Sequence, residues 1–150
     1  MINTMSPSSR ALSPKLDSQT DMLLRLLSQV ILADGHIFAS EIEALIRGVR
    51  QLDLKDQFGF MLGDDDVRNW FEDYKLALNA EKSPLRKDVA LTHLILKLAD
   101  LPNKQAVINV LTEISLADAN FHIEEKTLIS IVQAFWQFEG LDAPGAKIED

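Results

Sequence analysis

Apolar residues recur at helical spacing in every long segment of this 150-residue chain. Spacings of three and four positions place them along one side of an α-helix, and no segment shows the period-two alternation that is typical of a strand. Six such stripes follow one another, the first of them formed by Met22, Leu23, Leu26, Leu27, Val30 and Ile31. The pattern predicts an all-α fold, a compact bundle of about six to seven helices joined by mostly short loops.

Residues at the ends of the stripes predict where several helices begin and end. Ser40 and Glu43 have the spacing of a capping box, which predicts that the second helix begins near Ser40. Asp65 or Asp66 is predicted to open the third helix. Gly140 is predicted to end the last helix, whose stripe consists of Leu128, Ile131, Val132, Phe135 and Phe138.

The two ends of the chain differ in composition from its middle. Residues 1–16 contain Pro7, Pro14 and several serines but few large apolar groups, so their burial would not offset the entropy of ordering them. We therefore predict a flexible N-terminal arm over residues 1–16, a single helical domain over residues 17–140 and a loose C-terminal tail over residues 141–150.

Composition narrows the classes of partner and site. The chain has no cysteine, which excludes disulfides and thiolate metal sites, and its formal net charge is −8, which disfavours binding to nucleic acid. No run of residues approaches the ~20 apolar positions of a membrane helix, so no direct membrane insertion is expected. We predict a soluble, cytoplasmic protein with protein partners or cations as its ligands; the sequence leaves its oligomeric state open.

One turn occurs twice. The segment "LADGHIFASE" follows the first stripe, and "LADANFHIEE" follows the fifth. Alignment of the two Ala-Asp pairs places Glu41 on Glu125, and it also matches Ile37 with Phe121, Leu45 with Ile129 and Leu52 with Trp136. Val49 falls on Gln133, however, and a two-residue slip superposes the apolar stripes better. We predict an internally duplicated helix-(Ala-Asp)-turn-helix hairpin, with the helices after the turns rotated relative to each other.

The duplicated turn resembles the TerB-like domains of tellurite-resistance and stress-response proteins, which also occur in DnaJ-like co-chaperones. The resemblance covers about residues 21–138. It implies a compact bundle that brings the two turns together, with acids that hold a divalent cation; in this chain those acids are Asp34, Glu41, Asp118 and Glu125. It also implies a non-catalytic module that acts through protein partners in the response to tellurite or related chemical stress.

The chemistry of these side chains is compatible with a cation. Four carboxylates that are drawn together repel one another unless a proton or a hard divalent ion neutralises them. His36 and His122 lie inside the same two turns and are secondary candidates, because imidazole beside carboxylate favours zinc or another transition metal. The departures from the family pattern are Ala119, where the first copy has glycine, and Phe38 and His122, where a small polar capping residue is usual.

Other interpretations of the same residues remain open. The acids and Gly35 also suit a purely structural turn, in which Asp satisfies backbone N–H groups and Glu is stabilised at a helix N-terminus. A metal-dependent hydrolase would use the same acids with His122 or His36 as the base. A co-chaperone-like scaffold would need no ligand. Trp70, Phe71 and Tyr74 are at helical spacing and suit the core, or alternatively a partner surface.

Overall fold

A computed structural model describes residues 15–33, 35–117 and 123–141, with side chains up to residue 137. This part of the chain contains six helices and no strand, apart from one isolated bridge between Lys55 and Met61. The helices are α1 Ser18–Leu32, α2 Ala39–Gln51, α3 Asp64–Ala80, α4 Pro84–Lys97, α5 Lys104–Ser115 and α6 Ile123–Leu141. The predicted all-α class is therefore confirmed. The predicted arm and tail lie almost entirely outside the described residues.

The helix ends agree with the sequence patterns where a side chain caps the helix directly. Asp17 Oδ1 accepts a hydrogen bond from Thr20 N at 2.8 Å and begins α1, while Ser83 Oγ accepts one from Arg86 N at 3.2 Å and begins α4. The third helix begins one residue earlier than predicted, at Asp64, and Asp66 Oδ2 accepts a hydrogen bond from Gly63 N at 3.0 Å.

Two helix ends lie within one residue of their predicted positions but differ from the prediction in detail. The second helix begins at Ala39, after Phe38 as the N-cap, and not with a box formed by Ser40 and Glu43. Glu43 instead forms an exposed ion pair with Arg68 at 2.8 Å. The last helix continues past Gly140 to Leu141, because one glycine weakens a helix without ending it.

Helix α1 is the centre of the bundle and packs against all five other helices. A helix that is apolar on most sides is stable only when it is surrounded by protein, and α1 meets this condition. Its fully enclosed residues are Leu24, Leu26, Leu27, Ser28, Val30 and Ile31, each with 0% of its surface exposed. The other helices bury a narrower stripe; in α4 only Leu94 and Ile95 are buried, and Val89 of the same helix is exposed.

The contact between α1 and α3 combines aromatic packing with hydrogen bonds. Trp70 and Tyr74 stack with their ring centroids 5.1 Å apart. Trp70 Nε1 donates to Asp21 Oδ1 at 3.1 Å, and Gln29 Nε2 donates to the Tyr74 hydroxyl at 2.8 Å. The Arg25 guanidinium lies 5.5 Å from the centre of the Tyr74 ring. Burial raises the pKa of Tyr74 above its ordinary value near 10, and the neighbouring groups only partly offset this.

Helices α2 and α5 approach each other closely at a glycine. A Cβ atom added to Gly48 would lie 2.4 Å from Val110 Cγ1, well inside van der Waals contact. Both residues are buried, and valine is stiff about χ1, so its methyl group has little room to move away. Gly48 therefore has a packing role in the middle of α2.

We predict that Gly48→Ala destabilises the protein by about 1 to 3 kcal/mol, the usual cost of overpacking a core. The sign of this change in the free energy of unfolding is informative, because helix propensity alone would favour alanine over glycine by about 1 kcal/mol. Urea denaturation measures the difference. The double variant Gly48→Ala with Val110→Ala should lose less free energy of unfolding than the sum of the losses in the two single variants. The reason is that Val110→Ala removes the methyl group with which the new alanine Cβ at position 48 would clash. Strict additivity would contradict the close approach.

We also predict that stability falls with pH once the pH exceeds the ordinary tyrosine pKa. Because the folded-state pKa of Tyr74 is raised, the unfolded chain releases the phenolic proton first as the pH increases. The contribution of protonated Tyr74 to the free energy of unfolding is complete below about pH 10, and it is lost as the pH rises through the folded-state pKa of Tyr74. Urea denaturation from about pH 9 to about pH 11 should show a steeper loss for the parent than for Tyr74→Phe, which shares all the titrating lysines. Tyr74 is the chain's single tyrosine, so its ultraviolet titration reports the pKa directly.

Candidate functional site

The first acidic turn joins α1 to α2. It leaves α1 after Leu32, and Gly35 N donates to the Leu32 carbonyl at 3.3 Å. Gly35 has a φ of +82°, as expected for a glycine at this place, and no atom lies within 4 Å of the position that a Cβ would take. Glycine is therefore required here for its backbone angle and not for close packing.

Glu41 lies in the first turn of α2 and is completely buried. Its Oε1 accepts a hydrogen bond from Phe38 N at 3.2 Å, which is the return bond of a capping box. This bond needs only a backbone N–H at the N-cap, so phenylalanine can occupy that position.

Glu125 has the corresponding place in α6. It lies in the first turn of that helix, and it too has 0% of its surface exposed. Full burial is rare for glutamate, because a carboxylate loses its hydration unless hydrogen bonds, a proton or a cation compensates. Glu41 and Glu125, which the alignment of the two Ala-Asp pairs matches, thus share an uncommon environment.

The burial pattern agrees around the two glutamates. Among the residues of α6 up to 137, those that are buried are Glu125, Leu128, Ile129, Val132 and Trp136, and the residues of α2 at the same separations from Glu41 include buried Ala44, Leu45 and Gly48. In the same register, the buried residues of α1 at positions 23, 24, 26, 27, 30 and 31 match buried positions of α5. The buried faces of the paired helices therefore match without the two-residue slip that the apolar stripes of the sequence favoured. Ile131, which the sequence predicted to lie in the core, is 42% exposed. The duplication itself stays a prediction.

The remaining candidate ligands are only partly described. Asp34, Asp118 and His122 lie outside the described residues. His36 is exposed, and its ring stacks on Phe38 with the centroids 6.3 Å apart. Within the described part of the chain, no group of three or more His, Cys, Asp or Glu side chains is arranged to hold a metal. The four-acid metal site therefore stays a prediction, of which the structure places Glu41 and Glu125.

The burial of these glutamates had a signal in the sequence. Glu41 precedes Leu45 and Val49 at intervals of four, and Glu125 precedes Ile129 by four and Val132 by seven, so each acid falls on the apolar stripe of its helix. A charged residue on such a stripe is expected to be buried or to lie at the edge of the core. The hydrogen bond between Phe38 and Glu41 also had a signal, because the glutamate follows the N-cap by three positions.

Comparison with known proteins agrees with this geometry. A protein-family model described as "Tellurite resistance protein TerB" matches residues 20–146, a range that includes both acidic turns. The chain belongs to the TerB family. A search of curated proteins and a search of solved structures found no match. None of the helices in the described part of this TerB-family chain is long and apolar enough to cross a membrane.

We predict that Glu41→Ala lowers the free energy of unfolding by about 1 to 3 kcal/mol, because it removes the bond to Phe38 N and leaves a cavity. Glu41→Gln keeps a side-chain oxygen for that bond and should cost less. The matched control is Glu43→Ala on the same helix, where loss of the exposed pair with Arg68 should change stability by about 0.5 kcal/mol or less. Denaturant unfolding measures all three. Equal effects at Glu41 and Glu43 would contradict a structural role for the buried carboxyl group.

Proposed function

We propose that this chain is a non-catalytic helical module that binds one divalent cation and acts through protein partners in the response to tellurite or related chemical stress. The cation ligands are Asp34, Glu41, Asp118 and Glu125, with His36 and His122 as secondary candidates. The observation that carries the proposal is the complete burial of Glu41 and Glu125 at corresponding places after the two Ala-Asp turns.

The donor set favours a hard cation. Carboxylate oxygens are the preferred ligands of Ca²⁺, Mg²⁺ and Mn²⁺, and a divalent charge offsets the cost of burying two ionised glutamates. The hydrogen bond to Phe38 N orients the Glu41 carboxyl group before any ion binds, which reduces the entropy that binding would cost. Family membership supports the link to tellurite resistance.

The burial of the glutamates argues against a hydrolase. A general base must touch its substrate or a water molecule beside it, and a metal-activated water needs an open coordination position. Glu41 and Glu125 have no exposed surface through which a substrate would reach them. Their environment suits an ion that is enclosed by protein. The alternative hypothesis is a scaffold that binds no ligand, and the following experiment distinguishes it from a cation-binding module.

The experiment is a thermal melt of metal-stripped protein with and without Ca²⁺, Mg²⁺, Mn²⁺ or Zn²⁺. We expect one of these cations to raise the midpoint, because a ligand at a hundred times its dissociation constant stabilises the folded state by about 2.7 kcal/mol. The variant Asp34→Asn with Asp118→Asn should lose this response. Isothermal titration calorimetry with the same cation should then give a single site in the parent.

The matched control is Asp53→Asn with Asp65→Asn, which makes the same change in net charge at side chains that are 66% and 92% exposed. Asn at position 53 tolerates the left-handed φ of 55° that Asp53 adopts. This control should keep the full response to the cation. If both double variants lose the response equally, the cations only screen surface charge. If no cation stabilises the parent, the acidic turns join helices without a ligand and the proposal is wrong.

A further inference from the structure

Helix α4 is apolar on two sides. One side packs against α1 and α6 and contains the buried Leu94 and Ile95. On the other side Leu85 is 71% exposed, Val89 is 60% exposed and Leu96 is 44% exposed. A single apolar residue on a surface is ordinary, but a helix at the edge of a bundle normally has one apolar side and one polar side. The outer side of α4 is therefore a candidate contact surface.

The exposed apolar residues of α4 have the spacing of a coiled-coil seam. Leu85, Val89, Thr92 and Leu96 follow one another at intervals of four, three and four, and we call these four residues the outer stripe. With 3.6 residues per turn, the outer stripe covers only about 60° of the circumference of α4. A narrow seam of this kind packs against another helix, whose side chains fit between its own. The spacing therefore favours a helix as the partner.

The charges of α4 differ in sign from those of the chain as a whole. Residues 82–97 contain the bases Lys82, Arg86, Lys87 and Lys97 and the single acid Asp88, whereas the full chain has fifteen Lys and Arg and twenty-three Asp and Glu. The helix that carries the outer stripe is thus a basic region of an acidic protein. A basic region favours a partner with acidic side chains.

Two of these bases lie on the same flank of the outer stripe. Arg86 and Lys97 are placed there with His93 between them, at intervals of seven and four, and all three are exposed. Arg86 lies 3.9 Å from Glu81, but the Arg86 side chain is 78% exposed, and an ion pair of this kind contributes little. Within the described residues, Lys97 forms no ion pair. Charges that flank a seam determine which helix pairs with it.

We propose that the outer stripe of α4 binds an amphipathic helix of a partner protein, whose acidic side chains face Arg86 and Lys97. A second copy of this chain fits less well. In an antiparallel pair of α4 helices each flank meets its own copy, so the two basic flanks would repel each other; in a parallel pair, Asp88 is the one acid of α4 that could face them. The proposal is independent of the cation site, so either can fail without the other.

A membrane surface also fits the outer stripe less well. Helices that lie on membranes have a broad apolar side with Trp, Phe and Leu, and a polar side that is rich in Lys and Arg. The outer stripe is narrow, includes the polar Thr92 and contains no aromatic residue, and Asp88 lies at its second edge. The formal net charge of −8 further disfavours an anionic membrane.

The test uses the full chain and two synthetic peptides of about three heptads with leucine at the seam positions. The acidic peptide has glutamate at the flanking positions, and the basic peptide has lysine there. Nuclear magnetic resonance of isotope-labelled protein measures binding through shifts of the backbone amide signals. We expect the acidic peptide to shift the signals of α4. The basic peptide should bind at least about 10-fold more weakly, because its lysines would face Arg86 and Lys97.

Variants of the protein make the test specific. The stripe variant carries Val89→Gln with Leu96→Gln and should bind the acidic peptide at least about 30-fold more weakly, the loss expected at the centre of an interface. The charge variant carries Arg86→Glu with Lys97→Glu and should prefer the basic peptide. The matched control is Leu76→Gln, because Leu76 is 63% exposed but lies on α3, and it should bind like the parent.

Three results would overturn the proposal: an acidic peptide that does not bind to α4, a charge variant that keeps the preference of the parent, or a Leu76 variant as defective as the stripe variant. Self-association of the parent that is lost in the stripe variant would assign the outer stripe to a second copy. Binding to vesicles of phosphatidylserine and phosphatidylcholine with the same dependence would assign it to a membrane, and either finding also overturns the proposal. Circular dichroism confirms that each variant is folded, and Val89→Gln alone replaces a stripe variant that is not.

Discussion

The packing of α1 against all five other helices is the constraint on which the rest of the fold depends. Each of the other five helices packs against α1, and each contributes buried apolar residues to the core. A central helix of this kind cannot be stable alone, because water would contact apolar residues over most of its circumference. The bundle therefore forms around α1 as one cooperative unit, and a substitution on the surface of α1 affects its packing against several helices at once.

This arrangement also explains why acidic residues occur next to the core. Helix α1 runs directly into the first Ala-Asp turn, and α5, which packs against α1 and α2, runs into the second. The first turns of the helices that follow are only partly enclosed, since Ala39 and Ile123 are exposed. Glu41 and Glu125 are buried because each lies on the apolar stripe of its helix. The location of the two acids thus follows from their place on these stripes.

The spacing of apolar residues was enough to predict the helices, because a stripe at intervals of three and four has few other structural solutions. Helix ends were harder. The Ser40 and Glu43 pair has the right spacing for a capping box, but Phe38 and Glu41 have it too, and the hydrogen bond forms between this second pair. In α6, two sets of apolar residues have suitable spacing, and the buried set includes Ile129 and Trp136, whose indole N–H donates to the Ile95 carbonyl of α4 at 2.9 Å. Sequence spacing alone cannot express such a contact between distant helices.

For the candidate site, the sequence predicts which acids correspond but not what surrounds them. Correspondence is a property of the aligned turns, whereas the number of ligands around an ion depends on the distance between two hairpins that are far apart in the chain. The same limit applies to residues 55–61, before α3. The spacing of their apolar residues does not predict that Phe58 and Phe60 are exposed. The path of the backbone there is set by hydrogen bonds from Phe58 N and Phe60 N to Asp56 Oδ1, and a short turn that closes on its own side chain leaves its neighbouring side chains outside the core.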